Sequence, residues 1–202
     1  MNWLLAFASG LLLIALFPKL EIGLLAPFAL VPLLIAVARE PRWKYRILLG
    51  ELTGFTFWVG LCYWIRPVLA EYGGLNLPLS WLALILFAIA KGIHTAVFSL
   101  CAGYLIHRPW AIPALAALWV GIERTHGTFG FAWLTLGNAA AEMSLPLRLA
   151  PFTGVYGVSF VLVMLNAGLA LLLLRRPRKQ LAWLLPLPCL FLFPDLPELQ
   201  RG

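Results

Sequence analysis

Long apolar stretches alternate with short polar or basic tracts along the whole chain. Seven stretches can be read, at residues 3–17, 22–38, 47–65, 79–106, 110–122, 153–174 and 181–193. Each is continuously apolar and none alternates with a period of two, so the pattern predicts helices and not barrel strands. A spanning helix needs about 20 mostly apolar residues. The first, fifth and seventh stretches are shorter than that. Either flanking Trp, Pro and snorkelling Arg or Lys complete them, or they sit half-buried among neighbours. The fourth is long enough to tilt. The expected architecture is an all-α membrane protein, a polytopic bundle of about seven transmembrane helices over residues 1–193 with a tail at 194–202. No basic segment precedes the first stretch, and it closes with Phe17-Pro18-Lys19 instead of a small-x-small site. It therefore reads as a retained span and not as a cleaved signal.

Composition removes the competing classes. Of the 202 residues, 62% are apolar and 11% charged, and mean hydropathy is +0.92. Soluble domains run at about 45–50% apolar and about 25% charged. The excess excludes a soluble globular domain, and it excludes disorder, which needs low hydrophobicity and high charge. No sizeable water-soluble domain fits beside the spans.

Net charge is +7. The basic residues lie in short tracts between apolar runs, which points to topology and anionic lipid headgroups and not to nucleic acid. The loops at 39–46, 107–108 and 175–179 together carry nine of the fifteen Lys and Arg. The opposite loops carry Lys19, Arg66, Arg124, Arg148 and Arg201, and six of the eight acids. The positive-inside rule thus places the N-terminus in the cytoplasm and the C-terminus outside. The outer face then holds the irregular, aromatic-rich segments. These are Tyr63-Trp64 with the loop to Asn76, including Tyr72, and the long connection from Glu123 to Pro151 with Trp133 as an interfacial anchor.

Three ionisable groups fall inside spans: Glu51, Lys91 and His94. Such groups are costly in lipid and are either functional or paired across helices. Lys91 and His94 are three apart and share a helix face. Antiparallel packing would bring Glu51 towards His94 and, less easily, Lys91. One reading is a polar pathway or a lipid-headgroup contact; the other is a structural ion pair, or a Glu51 that snorkels to the interface. The cysteines Cys62, Cys101 and Cys189 stand apart in apolar runs, without metal or redox spacing. Cys101 is ten residues from Lys91, roughly 15 Å along a helix, which does not suit a covalent cysteine centre. No HExxH, GxSxG, Walker A or HxxxD-type motif occurs. No catalytic set, metal site or cofactor site is therefore expected. Glu123 and Arg124 end the fifth span, as an interfacial charge pair, a support for the outer loop or an anionic-headgroup contact. Gly154, Gly157 and Ser159 open the sixth span with small residues suited to close helix packing.

One ordered set of short motifs carries a family resemblance. It comprises Phe17-Pro18, Val31-Pro32-Leu33-Leu34, Gly54 with Tyr63-Trp64, Trp119-Val120-Gly121-Ile122-Glu123, Gly130-Phe131-Ala132-Trp133, and the run from Leu149-Ala150-Pro151-Phe152 to Gly157-Val158-Ser159-Phe160. In this order, over nearly the whole chain, it resembles the membrane domain of apolipoprotein N-acyltransferase. Two positions depart from that pattern. Ala132 stands where the family often has Pro, and Arg124 directly follows the Glu where the family places an Arg a few residues later.

The resemblance implies a division of labour. Seven helices precede a periplasmic nitrilase-like domain whose Glu-Lys-Cys set moves an acyl chain from a phospholipid to the N-terminal cysteine of a diacylated lipoprotein. The chain stops nine residues after Phe193, about where that domain would begin, so the catalytic set is expected to have no counterpart here. The implied role is anchoring and lipid binding, with Tyr63, Trp64, Tyr72, Glu123, Trp133 and Tyr156 as outer-face contacts to lipid or substrate. The implied partners are phospholipid, diacylated lipoprotein and a nitrilase-like domain in cis or in trans. The alternative is a non-catalytic scaffold or lipid-binding protein. A small transporter using Glu51, Lys91 and His94 is disfavoured by the lack of an evident internal repeat.

Overall fold

The computed structural model describes residues 1–128, 131, 133–176 and 178–192. Gly130, Ala132, Phe193 and the tail at 194–202 lie outside the described residues. The α-helices are α1 (Asn2–Ala15), α2 (Val31–Arg39), α3 (Trp43–Cys62), α4 (Ile65–Glu71), α5 (Leu77–Leu105), α6 (Ala111–Thr128), α7 (Leu136–Ala139), α8 (Ser144–Leu147) and α9 (Ala150–Leu173). No strand occurs among the described residues. Helices α5 (29 residues) and α9 (24 residues) are each long and apolar enough to cross a membrane, and α3 with α4 makes a third such unit bent by 51°.

The helices follow the apolar stretches, except that α6 runs on to Thr128 and α7 and α8 form within the segment expected to be an irregular connection; three further differences have local causes. The second stretch is not one helix. Its 3-10 turn Gly23–Leu25 runs through a non-helical segment into α2. Pro27 supplies no N–H to a helical ladder, and Pro32 sits in the first turn of α2, where that loss costs nothing. Peptide groups freed at such a break need partners, because lipid offers none. Ser9 Oγ on α1 donates to the Ala29 carbonyl. Asn166 Nδ2 on α9 donates to the Ala26 carbonyl at 2.8 Å, and its Oδ1 accepts from the Leu30 N–H at 2.8 Å. The second difference is α4, a helix where the sequence suggested loop. Pro67 lacks the N–H that would continue the α3 ladder, so the chain bends and starts a new turn. Third, the stretch at 181–193 forms 3-10 turns (Arg178–Leu184 and Leu187–Leu192) instead of an α-helix. Pro186 and Pro188 interrupt it every second residue.

The most extensive packing is between α3 and α5. Gly50 and Gly54, one helical turn apart, let the backbones approach. A Cβ at Gly50 would lie 2.4 Å from the Thr95 carbonyl oxygen and 2.4 Å from Ser99 Oγ. A backbone oxygen cannot step aside. Gly50→Val is therefore expected to cost about 1–3 kcal/mol, the usual range for overpacking, read as a lower unfolding midpoint in detergent. Thr53 Oγ donates to the Ala6 carbonyl at 2.8 Å and ties α1 to the same seam.

The two ends of the bundle differ in chemistry. One end gathers Pro18, Lys19, Tyr63, Trp64 and Trp133. The other gathers basic residues after α2, at the start of α3, and after α5 and α9. At the basic end an Arg176 Nη donates to His107 Nδ1 at 2.7 Å. Burial first, then the charges of Arg176 and Arg46, hold His107 below the ordinary histidine pKa. An unfolded histidine titrates near about 6.5. Between that value and the lowered folded one, the unfolded chain binds more protons, so stability falls as pH falls through the window. The unfolding midpoint in neutral detergent is expected to drop on acidification below about pH 6.5, and His107→Gln should flatten part of that drop.

Candidate functional site

The aromatic end contains a cavity of about 160 Å³ lined by Pro18, Lys19, Leu61 to Trp64, Phe131, Trp133 and Leu134. Water occupies about 30 Å³ per molecule in the liquid, so the space takes a small group and not a whole lipid. Its walls come from three segments: the exit of α1, the α3–α4 bend, and the connection after α6. Lys19 Nζ sits 4.3 Å over the Tyr63 ring, which places a cation at the rim with no ion pair among the described residues. Lys19 (φ 92°) and Phe131 (φ 66°) both hold left-handed backbone. Non-glycine residues pay about 1–3 kcal/mol for that conformation and keep it only where neighbours impose it. The neighbours of Phe131 are visible: Trp58 at 5.5 Å, Phe87 at 5.2 Å and Trp133 at 5.1 Å between ring centroids.

Beneath the cavity floor lies Lys91. It is 5% exposed, with Nζ 4.7 Å over the Trp58 ring and 5.5 Å over Phe131. The aromatic faces give the ammonium an electrostatic partner inside an apolar bundle. Glu51 packs on the adjoining residue of α5. Its carboxylate rests against the Gly92 backbone, where a Cβ would meet Oε1 at 2.5 Å, and Oε1 has no hydrogen bond among the described residues. His94 Nδ1 lies 3.1 Å from the Lys91 carbonyl, a contact within one turn of α5.

Glu123 is 1% exposed and turned inward. Its Oε1 accepts from Trp119 Nε1 at 2.7 Å and from the Leu136 N–H at 2.6 Å. The Leu136 N–H belongs to the first turn of α7, where backbone donors have no helical acceptor. One carboxylate thus fixes a tryptophan on α6 and the far end of the connection that carries Phe131 and Trp133. Beside it, Ser159 Oγ accepts from the next backbone donor, the Gly137 N–H, at 2.8 Å. A Cβ at Gly137 would lie 2.2 Å from the Val155 carbonyl oxygen. Glycine is needed there for α7 to seat on α9, which itself breaks at Gly154 (φ 65°, ψ −169°).

The outer-face residues expected from sequence do not all meet. Tyr63, Trp64 and Trp133 are exposed at the cavity. Tyr72 is 85% exposed after α4, outside the cavity lining. Tyr156 is half-buried in the first turns of α9, under the Arg124 guanidinium at 5.4 Å. Glu123 acts from inside, on the backbone of the connection. Of the intramembrane groups, Lys91 reaches the cavity floor through Phe131. Sequence reasoning missed Asn166 and Lys19. Asn166 had a signal, as a lone amide in an apolar run. Lys19 had none beyond following Pro18.

Apolar helices of spanning length, a small-residue helix seam and backbone breaks satisfied from neighbouring helices define a helical bundle of membrane type. The chain belongs to the apolipoprotein N-acyltransferase N-terminal domain family, whose model matches residues 9–168. It is 33% identical over 176 residues to the apolipoprotein N-acyltransferase of Geobacter metallireducens, covering 83% of this chain and 33% of that protein. With the enzyme of Nitrosomonas europaea it is 34% identical over 157 residues, covering 72% of this chain and 32% of that protein. With that of Thermotoga maritima it is 31% identical over 175 residues, covering 80% and 34%. The chain thus spans about one third of the length of the curated relatives it matches.

Proposed function

We propose that this chain is the membrane part of an apolipoprotein N-acyltransferase system of the bacterial inner membrane. It crosses the bilayer about seven times, with the N-terminus in the cytoplasm and the C-terminus in the periplasm. It anchors a nitrilase-like domain, in cis or in trans, and that domain makes and breaks the acyl bonds. This chain holds phospholipid and diacylated lipoprotein at the outer leaflet. The observation that carries the reading is the cavity at the aromatic end, where Lys19 and Phe131 hold strained backbone among Tyr63, Trp64 and Trp133. Strain of this kind is kept where a ligand is clamped. The aromatic rings lie flat against acyl stems at headgroup level, and Lys19 stands at the rim as the partner for a lipid phosphate.

The test is photo-crosslinking of the purified chain in vesicles containing a phospholipid with a diazirine in its acyl chain near the headgroup. Label is expected at residues 61–64 and 131–134, and Trp64→Ala with Trp133→Ala should lower it several-fold. Label spread evenly over α5 and α9 would remove the lipid-holding role. Acyl transfer to a diacylated lipoprotein by this chain alone would remove the division of labour.

A further inference from the structure

The basic end carries a feature that the acyl-transfer reading does not use. Three cationic or basic side chains from three different helices converge there. Arg46 lies in the first turn of α3, His107 directly after α5, and Arg176 directly after α9. Arg46 is 6% exposed. Its Nε donates to the Glu40 carbonyl at 2.7 Å, and its guanidinium lies 4.8 Å over the Tyr104 ring. Gly103 makes the room: a Cβ there would lie 2.4 to 2.8 Å from Cδ, Nε and Cζ of Arg46. The guanidinium is held in a fitted slot between α3 and α5. Arg176 bonds to His107, and both Arg176 and Arg46 act electrostatically on that imidazole. The neighbouring segment is sewn down as well. Gln180 Nε2 donates to the Arg108 carbonyl at 3.0 Å and Trp183 Nε1 to the Pro109 carbonyl at 3.1 Å.

What this cluster lacks is an ion-paired acid among the described residues; the Glu40 carboxylate reaches Arg46 only through space. No carboxylate of a described residue forms an ion pair with Arg46, His107 or Arg176, and the nearby Glu40 carboxylate is taken by Arg42 at 3.1 Å. Two guanidiniums held near one imidazole repel one another in a medium that screens weakly. The helix C-termini of α5 and α9 offset part of that repulsion, but neither Arg46 nor the bonded Arg176 Nη is spent on those carbonyls. The Nη groups of Arg46 make no hydrogen bond among the described residues, and they share the His107 imidazole electrostatically with Arg176 at the end of α5. Basic pockets between helices at this level fit a phosphodiester, which guanidinium donors bind in pairs.

We propose that Arg46, His107 and Arg176 form a binding site for the phosphodiester headgroup of an anionic phospholipid, at the end of the bundle opposite the aromatic cavity. The lipid joins α3, α5 and α9 from outside, as an external counter-charge.

The experiment compares unfolding midpoints of the full chain in phosphatidylcholine vesicles with and without phosphatidylglycerol. Phosphatidylglycerol is expected to raise the midpoint by several degrees, since a ligand that binds only the folded state stabilises it. Arg176→Gln and His107→Gln should each lose most of that rise. Arg39→Gln, an equal charge change at the same end without a contact to the trio, should keep it. Both Arg176 and His107 are surface groups, and the midpoint in phosphatidylcholine alone reports whether each variant folds. Equal midpoints in the two vesicles would overturn the proposal. So would equal losses for Arg39→Gln and Arg176→Gln, which would mean a diffuse surface charge. A full rise produced by inorganic phosphate in phosphatidylcholine would overturn the lipid as the ligand.

Discussion

Glu123→Ala is expected to lower the stability of the folded chain by about 2–4 kcal/mol, and to disorder the aromatic end before the rest unfolds. The estimate follows from what the carboxylate leaves behind. Trp119 Nε1 and the Leu136 N–H both bond to Oε1, and both lie in the apolar interior. A buried donor stripped of its acceptor costs about 1–3 kcal/mol, with the lower figure favoured inside a bilayer, where measured helix–helix hydrogen bonds are weak. Trp119 also packs edge-on to Phe98 at 4.8 Å, so its release loosens α5 against α6. Glu123→Gln keeps an oxygen acceptor at the same place and should cost less than half as much. The measurement is detergent unfolding, with cysteine accessibility at Trp133→Cys as the local readout. A Glu123→Ala chain as stable as the parent would remove the clamp from Glu123.

Asn166→Leu is expected to be comparably damaging, although it makes the α9 surface more apolar. Asn166 is fully buried. It donates to the Ala26 carbonyl and accepts from the Leu30 N–H, which serves both sides of the break in the second apolar stretch. Leucine fills similar space and leaves two peptide groups in an apolar interior with neither water nor lipid to meet them. The expected loss is about 2–4 kcal/mol by the same accounting. Ser9→Ala, which removes the single bond to Ala29, should cost about a third to a half of that. Additivity is expected to fail in the double variant, because both residues hold one short turn.

The class of the molecule was legible because apolar runs and charge asymmetry are written in residue types. Every long helix falls on an apolar stretch found by reading along the chain. The breaks were less legible. Pro27, Pro186 and Pro188 were visible, yet nothing local says whether a proline-bearing run bends, unwinds or stays a span. That outcome depends on whether a distant group such as Asn166 can satisfy the freed backbone. The candidate site was partly legible for a similar reason. Tyr63, Trp64 and Trp133 announce themselves as interfacial aromatics. Glu123 reads as a helix-end charge, and its inward turn is decided by Leu136, thirteen residues on. The expected proximity of Glu51, His94 and Lys91 rested on helix spacing. Spacing says nothing of Trp58 and Phe131, whose rings face the Lys91 ammonium.

The partnership of Asn166 with the second stretch also sets a clock. Ala26 and Leu30 are synthesised 140 and 136 residues before Asn166. At about 5–20 residues per second, the ribosome takes on the order of ten seconds to deliver the missing amide. During that interval Ser9 is present for Ala29, but the other peptide groups of the break are best served by water at the membrane surface. The second stretch therefore cannot complete its hydrogen bonds until the sixth has been made. The N-terminal part of the bundle is held in a provisional arrangement until a residue near the end of synthesis locks it.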